Sequence, residues 1–145
     1  MGAGSFGAGI QLGYPGNGLS FNYFISQSAS IQVNPLIRIG DNWTGLGGRV
    51  DLLWWQKPIT RFDFADLMWY FGPGVNAFLF SWSGKGDNDG YFGLGAELPV
   101  GIGLRFTGAP VDLNLEGVPI LSILGNGGVN IDFDIAGLLN VRYYF

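Results

Sequence analysis

From Ile131 to Phe145 every second residue is apolar or glycine: Ile131, Phe133, Ile135, Gly137, Leu139, Val141, Tyr143 and Phe145. The residues between them, Asn130, Asp132, Asp134, Ala136, Leu138, Asn140, Arg142 and Tyr144, are mostly polar. A period of two means a β-strand that separates an apolar environment from a polar one. Seven further segments share this period: about 4–14, 19–25, 30–40, 44–55, 67–80 and 91–106, and a seventh that starts at Val111 and ends before Leu124. Turn-like clusters such as Pro15-Gly16-Asn17-Gly18, Asp41 to Trp43 and Thr107 to Pro110 punctuate them, and Gln56 to Asp66 reads as a longer connection.

Composition narrows what eight alternating strands can be. Charged residues are 12% of the chain, about half of the roughly 25% usual in soluble domains. Mean hydropathy is only +0.27, and no apolar run approaches the roughly 20 residues that a membrane helix needs. A chain too poor in charge for water and too interrupted for membrane helices fits a closed sheet with one face on lipid. The 26 glycines and 16% aromatics agree. The expected fold is all-β: one domain, residues 1–145, forming an eight-stranded antiparallel up-and-down transmembrane β-barrel.

Charge placement is consistent with these phases. Asp41, Lys57, Arg61, Asp63, Asp66, Lys85, Asp87 and Asp89 lie in connections. Arg38, Arg49, Asp51, Glu97, Arg105, Asp112, Glu116, Asp132, Asp134 and Arg142 all fall on the non-apolar face. A charge at the bilayer midplane costs about 2–4 kcal/mol, which is the cost such exclusion avoids. Inside the sheet, Arg38, Arg49, Arg105 and Arg142 set against Asp51, Glu97 and Glu116 are expected to form a neutralising charge network, with interior glycines leaving room for the long side chains.

Three stretches carry a family resemblance: Leu98-Pro99-Val100-Gly101-Ile102-Gly103-Leu104-Arg105-Phe106, Gly108 to Glu116, and Val141-Arg142-Tyr143-Tyr144-Phe145. Together they resemble the C-terminal half of a family of small, uncharacterised Gram-negative outer-membrane barrels. The remainder is similar in architecture alone to the OmpA- and OmpX-type eight-stranded barrels. The resemblance implies a bacterial outer-membrane location, a lipid bilayer or detergent as surroundings, and a closing strand whose Val141, Tyr143 and Phe145 are read by the barrel-assembly machinery. With the N-terminus periplasmic, Trp54, Trp69, Tyr143 and Phe145 are expected at the periplasmic rim, and Tyr14, Trp43 and Trp82 at the outer rim, as two interfacial girdles. No secretory signal precedes the first strand. The chain is therefore expected to be a mature fragment, an expressed segment or an engineered sequence.

Motifs that could carry chemistry are sparse. Gly2-Ala3-Gly4-Ser5-Phe6-Gly7 matches GxGxxG spacing but runs into a strand, without the strand-then-helix setting that dinucleotide binding needs. Asp87-Asn88-Asp89 offers oxygen ligands without a closing acidic residue, so it reads as a solvated turn. Asn42-Trp43-Thr44 is formally a glycosylation sequon. Asp132 and Asp134 share a strand face and could act as a carboxylate pair, though the structural reading is preferred.

The chain holds no His and no Cys. That removes the His-dependent mechanisms of outer-membrane proteases, phospholipases and deacylases, and the commonest metal ligands. The net charge of −4 argues against nucleic acid. The expectation is a monomeric, structural, non-enzymatic membrane protein with a filled polar interior and no metal or cofactor. A narrow, porin-like ion pore is the first alternative. A soluble lipocalin-like barrel with its faces reversed, binding a small apolar ligand inside, is the second.

Overall fold

The computed structural model describes residues 2–82, 91–125 and 129–145. Among these there are strands and no helix: β1 (Phe6–Tyr14), β2 (Asn17–Phe24), β3 (Ala29–Gly40), β4 (Trp43–Trp55), β5 (Thr60–Arg61), β6 (Ala65–Phe71), β7 (Gly74–Trp82), β8 (Tyr91–Glu97), β9 (Val100–Phe106), β10 (Val111–Gly125) and β11 (Val129–Tyr144). All pairings are antiparallel. Sequential neighbours pair around the sheet, and β11 pairs with both β10 and β1, so eight strands close into a ring.

Eleven strands reduce to eight rows because two interruptions keep register and β5 prolongs the row of β4. Asp51 of β4 faces Gly74 of β7, and Trp54 faces Phe71 of β6, in one continuous phase. In the same way Gly74 faces Glu97 while Phe71 faces Val100. The breaks fall at Pro73 and Pro99, which have no N–H to give the ladder. Their carbonyls still accept, from Leu52 at 2.9 Å and Gly72 at 3.1 Å.

One expected connection is partly strand. The Gln56–Asp66 segment holds β5, which pairs with β6, and Ala65 and Asp66 already belong to β6. Gln56 N donates to Trp69 O and Ile59 N to Leu67 O, so the β4 row runs on as a hairpin beyond the ring. Composition hid this, because its charges and proline read as a loop.

Burial is inverted relative to a protein made for water. Phe6, Ile10, Leu12, Leu46, Val50, Leu94, Ile102, Leu115, Leu121, Ile131 and Ile135 are exposed on the outer face around the whole ring. Gln11, Ser20, Asn22, Gln32, Asn34, Arg49, Asp51, Glu97, Asp112, Asn114, Glu116, Asn140 and Arg142 are buried inside it. Because side chains alternate along each strand, closing the ring forces this choice on every row at once.

Candidate functional site

The interior is layered. Nearest the end that carries both termini lies an aromatic and aliphatic cluster of Phe24, Leu53, Trp55, Met68, Tyr70 and Tyr144. Trp55 and Tyr70 have centroids 4.3 Å apart, and Trp55 Nε1 donates to Ser30 Oγ at 2.8 Å. Arg105 lies over Phe24 at 5.2 Å and over Trp55 at 4.9 Å, within cation–π reach.

Two arginine centres occupy the next level. Arg49 Nε donates to Glu97 Oε1 at 2.7 Å and its Nη1 to Glu116 Oε2 at 3.0 Å. Its Nη2 is 2.8 Å from Asp51 Oδ2, an ion pair without hydrogen-bond alignment. Glu116 also accepts from Tyr70 OH at 2.7 Å and Gln32 Nε2 at 3.0 Å. Arg142 donates to both oxygens of Asp112, at 3.1 and 3.3 Å, and to Gln32. Tyr144 OH donates to Asp112 Oδ2 at 2.6 Å and accepts from Asn22 at 3.0 Å. Gln32 thereby bridges the two centres, its amide nitrogen serving Asp51 and Glu116 and its oxygen serving Arg142.

Beyond them Asn34 donates toward Gln11, Ser20 and Asn140, joining four strands through neutral groups. An apolar layer of Val118, Ile120, Ala136 and Leu138 follows. At the far end a half-open cavity of about 200 Å³ is lined by residues that include Tyr14, Arg38, Phe78, Phe80, Asp132 and Asp134.

The seven residues expected as one charge network are not one network. Arg49, Asp51, Glu97 and Glu116 meet. Arg142 is joined to them through Gln32 and takes its carboxylate from Asp112, which the expected set omitted. Arg105 makes no ion pair among the described residues and rests on aromatic rings instead. Arg38 lies apart, at the mouth, between Tyr14 (5.0 Å) and Trp43 (5.1 Å). The inner-face phase was legible; which strands bring their charges together depends on register across the ring.

The aromatic assignments divide similarly. Trp54, Trp69, Tyr143 and Phe145 are exposed on the outer face near the terminal-bearing end, in contact with Phe71 or with one another. Trp43 does not share the opposite outer rim: it is in phase with Arg49 and packs against Arg38 and Phe80. Tyr14 is also drawn inward, its hydroxyl donating to Asp134 Oδ2 at 2.6 Å. Trp82 ends β7 opposite Trp43. Its side chain, together with Lys85, Asp87 and Asp89, lies outside the described residues.

No group of His, Cys, Asp and Glu arranged to hold a metal ion is present among the described residues. No protein-family model and no curated protein matches the chain.

Proposed function

We propose that this protein is an integral β-barrel of the bacterial outer membrane, monomeric and structural rather than catalytic, resembling the small Gram-negative eight-stranded barrels. The observation that carries the reading is the inversion of burial: apolar side chains cover the outside of a closed ring while charged and amide side chains fill its inside. Monomers in water rarely expose apolar patches beyond about 300–600 Å², whereas a lipid-facing sheet requires an unbroken one. Row length fits as well. β1 has 9 residues and β11 has 16, against the roughly 9–11 needed for a tilted strand to cross a bilayer. The outward Val141, Tyr143 and Phe145 supply the alternating aromatic closing strand that assembly machinery reads.

The polar interior argues against a lipocalin-like role, because an apolar ligand inside would face Arg49, Glu116 and Arg142. The crosslinks across the ring from Arg49 to Glu97 and Glu116, and from Arg142 to Gln32, argue against a conducting pore.

Refolding the full chain in detergent and comparing gel mobility with and without boiling tests the proposal. Faster or slower migration of the unboiled sample is expected, because a closed ring resists unravelling by the dodecyl sulfate in the gel. A monodisperse folded monomer in plain buffer overturns it.

A further inference from the structure

Tyr14 keeps its place in the ladder, opposite Gly137, yet its side chain turns to the inner face. Counting by twos from Phe6, Ile10 and Leu12 places it outside, yet it reaches Asp134 on the inner face of β11 and stacks on Arg38. The reversal begins at Gly13, whose φ of 135° is a conformation that residues with a Cβ rarely adopt. Trp43 also lies at Arg38, its ring centroid 5.1 Å from the guanidinium carbon. Two rings therefore sit within cation–π reach of one guanidinium and restrict where it can swing.

The wall beside Arg38 is shaped to leave space. Phe78 and Phe80 lie against Gly47 and Gly45 of β4, where a Cβ would collide with either ring. Flat rings on a glycine strip form an aromatic side for the 200 Å³ cavity instead of filling it. Its charges are also unlike those deeper in. Arg49 and Arg142 each have carboxylate partners, whereas Arg38 has no ion pair and Asp132 has no hydrogen-bond donor among the described residues, although both line the same cavity. Asp134 is already engaged, by Tyr14 OH and by the Ile135 N–H at 2.8 Å.

We propose that this mouth binds a small zwitterion carrying an apolar or aromatic group, such as a free amino acid: carboxylate on the Arg38 fork, ammonium on Asp132, side group against Phe78 and Phe80. A guanidinium suits a carboxylate bidentately, and aromatic faces suit both an apolar group and a nearby ammonium. The volume is below the roughly 300–1,000 Å³ of pockets for drug-sized ligands, which restricts the site to small molecules.

Calorimetric titration of the refolded full chain with L-phenylalanine and L-leucine tests this. N-acetylphenylalanine lacks the ammonium and phenylalaninamide lacks the carboxylate, so they report the two ends separately. Phenylalanine is expected to bind at least about tenfold tighter than either derivative, with Arg38→Gln and Asp132→Asn each weakening it by about tenfold or more. The unboiled gel shift, read on the same samples, reports the fold and the membrane-barrel reading independently of binding. If Arg38→Gln fails to refold, the derivative series on the unmutated protein still decides. No binding up to about 10 mM by correctly folded protein, or equal affinity for phenylalanine and its derivatives, overturns the proposal.

Discussion

Arg49 and Glu116, on strands that are not neighbours in the sheet, meet across the inside of the ring at 3.0 Å, and each is almost fully buried. Glu116 uses one oxygen for this arginine and the other for Tyr70 and Gln32. Such a contact ties opposite walls together, and its value lies less in the pair than in the cost of leaving either charge alone in a dry interior.

Glu116→Ala should therefore destabilise the fold by about 3–5 kcal/mol, as removing one member of a buried pair does. Asp63→Ala, at an exposed position, should stay within about 0.5 kcal/mol. Denaturant titrations of vesicle-reconstituted protein compare them. Equal costs would mean that the interior is more hydrated than the packing implies.

The outer face provides the complementary experiment. Leu115 is 57% exposed and Ile131 is 72% exposed, so in water an arginine at either would be nearly neutral. In a bilayer Leu115→Arg should cost about 2–4 kcal/mol and Ile131→Arg, near the end of β11, about 0–1 kcal/mol. Stability measured in liposomes should show that depth dependence. Its absence would count against the membrane reading.

Glycines should separate by face. A Cβ at Gly101 would run into the ring of Tyr70, which Trp55 and Glu116 hold in place, so Gly101→Ala should cost about 1–3 kcal/mol through overpacking. Gly117, on the outer face, has nothing near its Cβ position. Gly117→Ala should be neutral or stabilising by up to about 1 kcal/mol. Thermal melts in one detergent would rank them, and the opposite order would show that Tyr70 is free to move.

Planar-bilayer recordings of the unmutated protein should show no stable unitary current, because Arg49, through Glu97 and Glu116, and Arg142, through Gln32, bridge the interior and an apolar layer of Val118, Ile120, Ala136 and Leu138 lies beyond them. Sustained single-channel steps would favour a pore.

Alternation made the rows and their phases readable from residues alone, since closure leaves each side chain only two directions. What escaped was the pairing between distant rows. Nothing local in Gln32 announces that it will bridge Arg142 to Glu116, and nothing near Arg105 announces aromatic rings in place of a carboxylate. Trp43 was readable in principle, because counting by twos from Arg49 reaches it, but the adjoining Asp41-Asn42 obscured where β4 begins. Tyr14 was not readable by phase, since its side chain turns inward after Gly13 while its place in the ladder is kept. At the mouth these two exceptions bring two aromatic rings to Arg38.

The seam between β1 and β11 has a consequence for the order of events in folding. Ile10 lies opposite Val141, and Gln11 opposite Asn140, so within the ring the first strand to be made waits for the last before its second edge is covered. Until then it presents unpaired N–H and C=O groups beside an apolar face, the template from which strands of separate chains assemble into aggregates. The ring can close only when its last strand is in place, which leaves β1 open to such pairing for longer than any other strand of the ring.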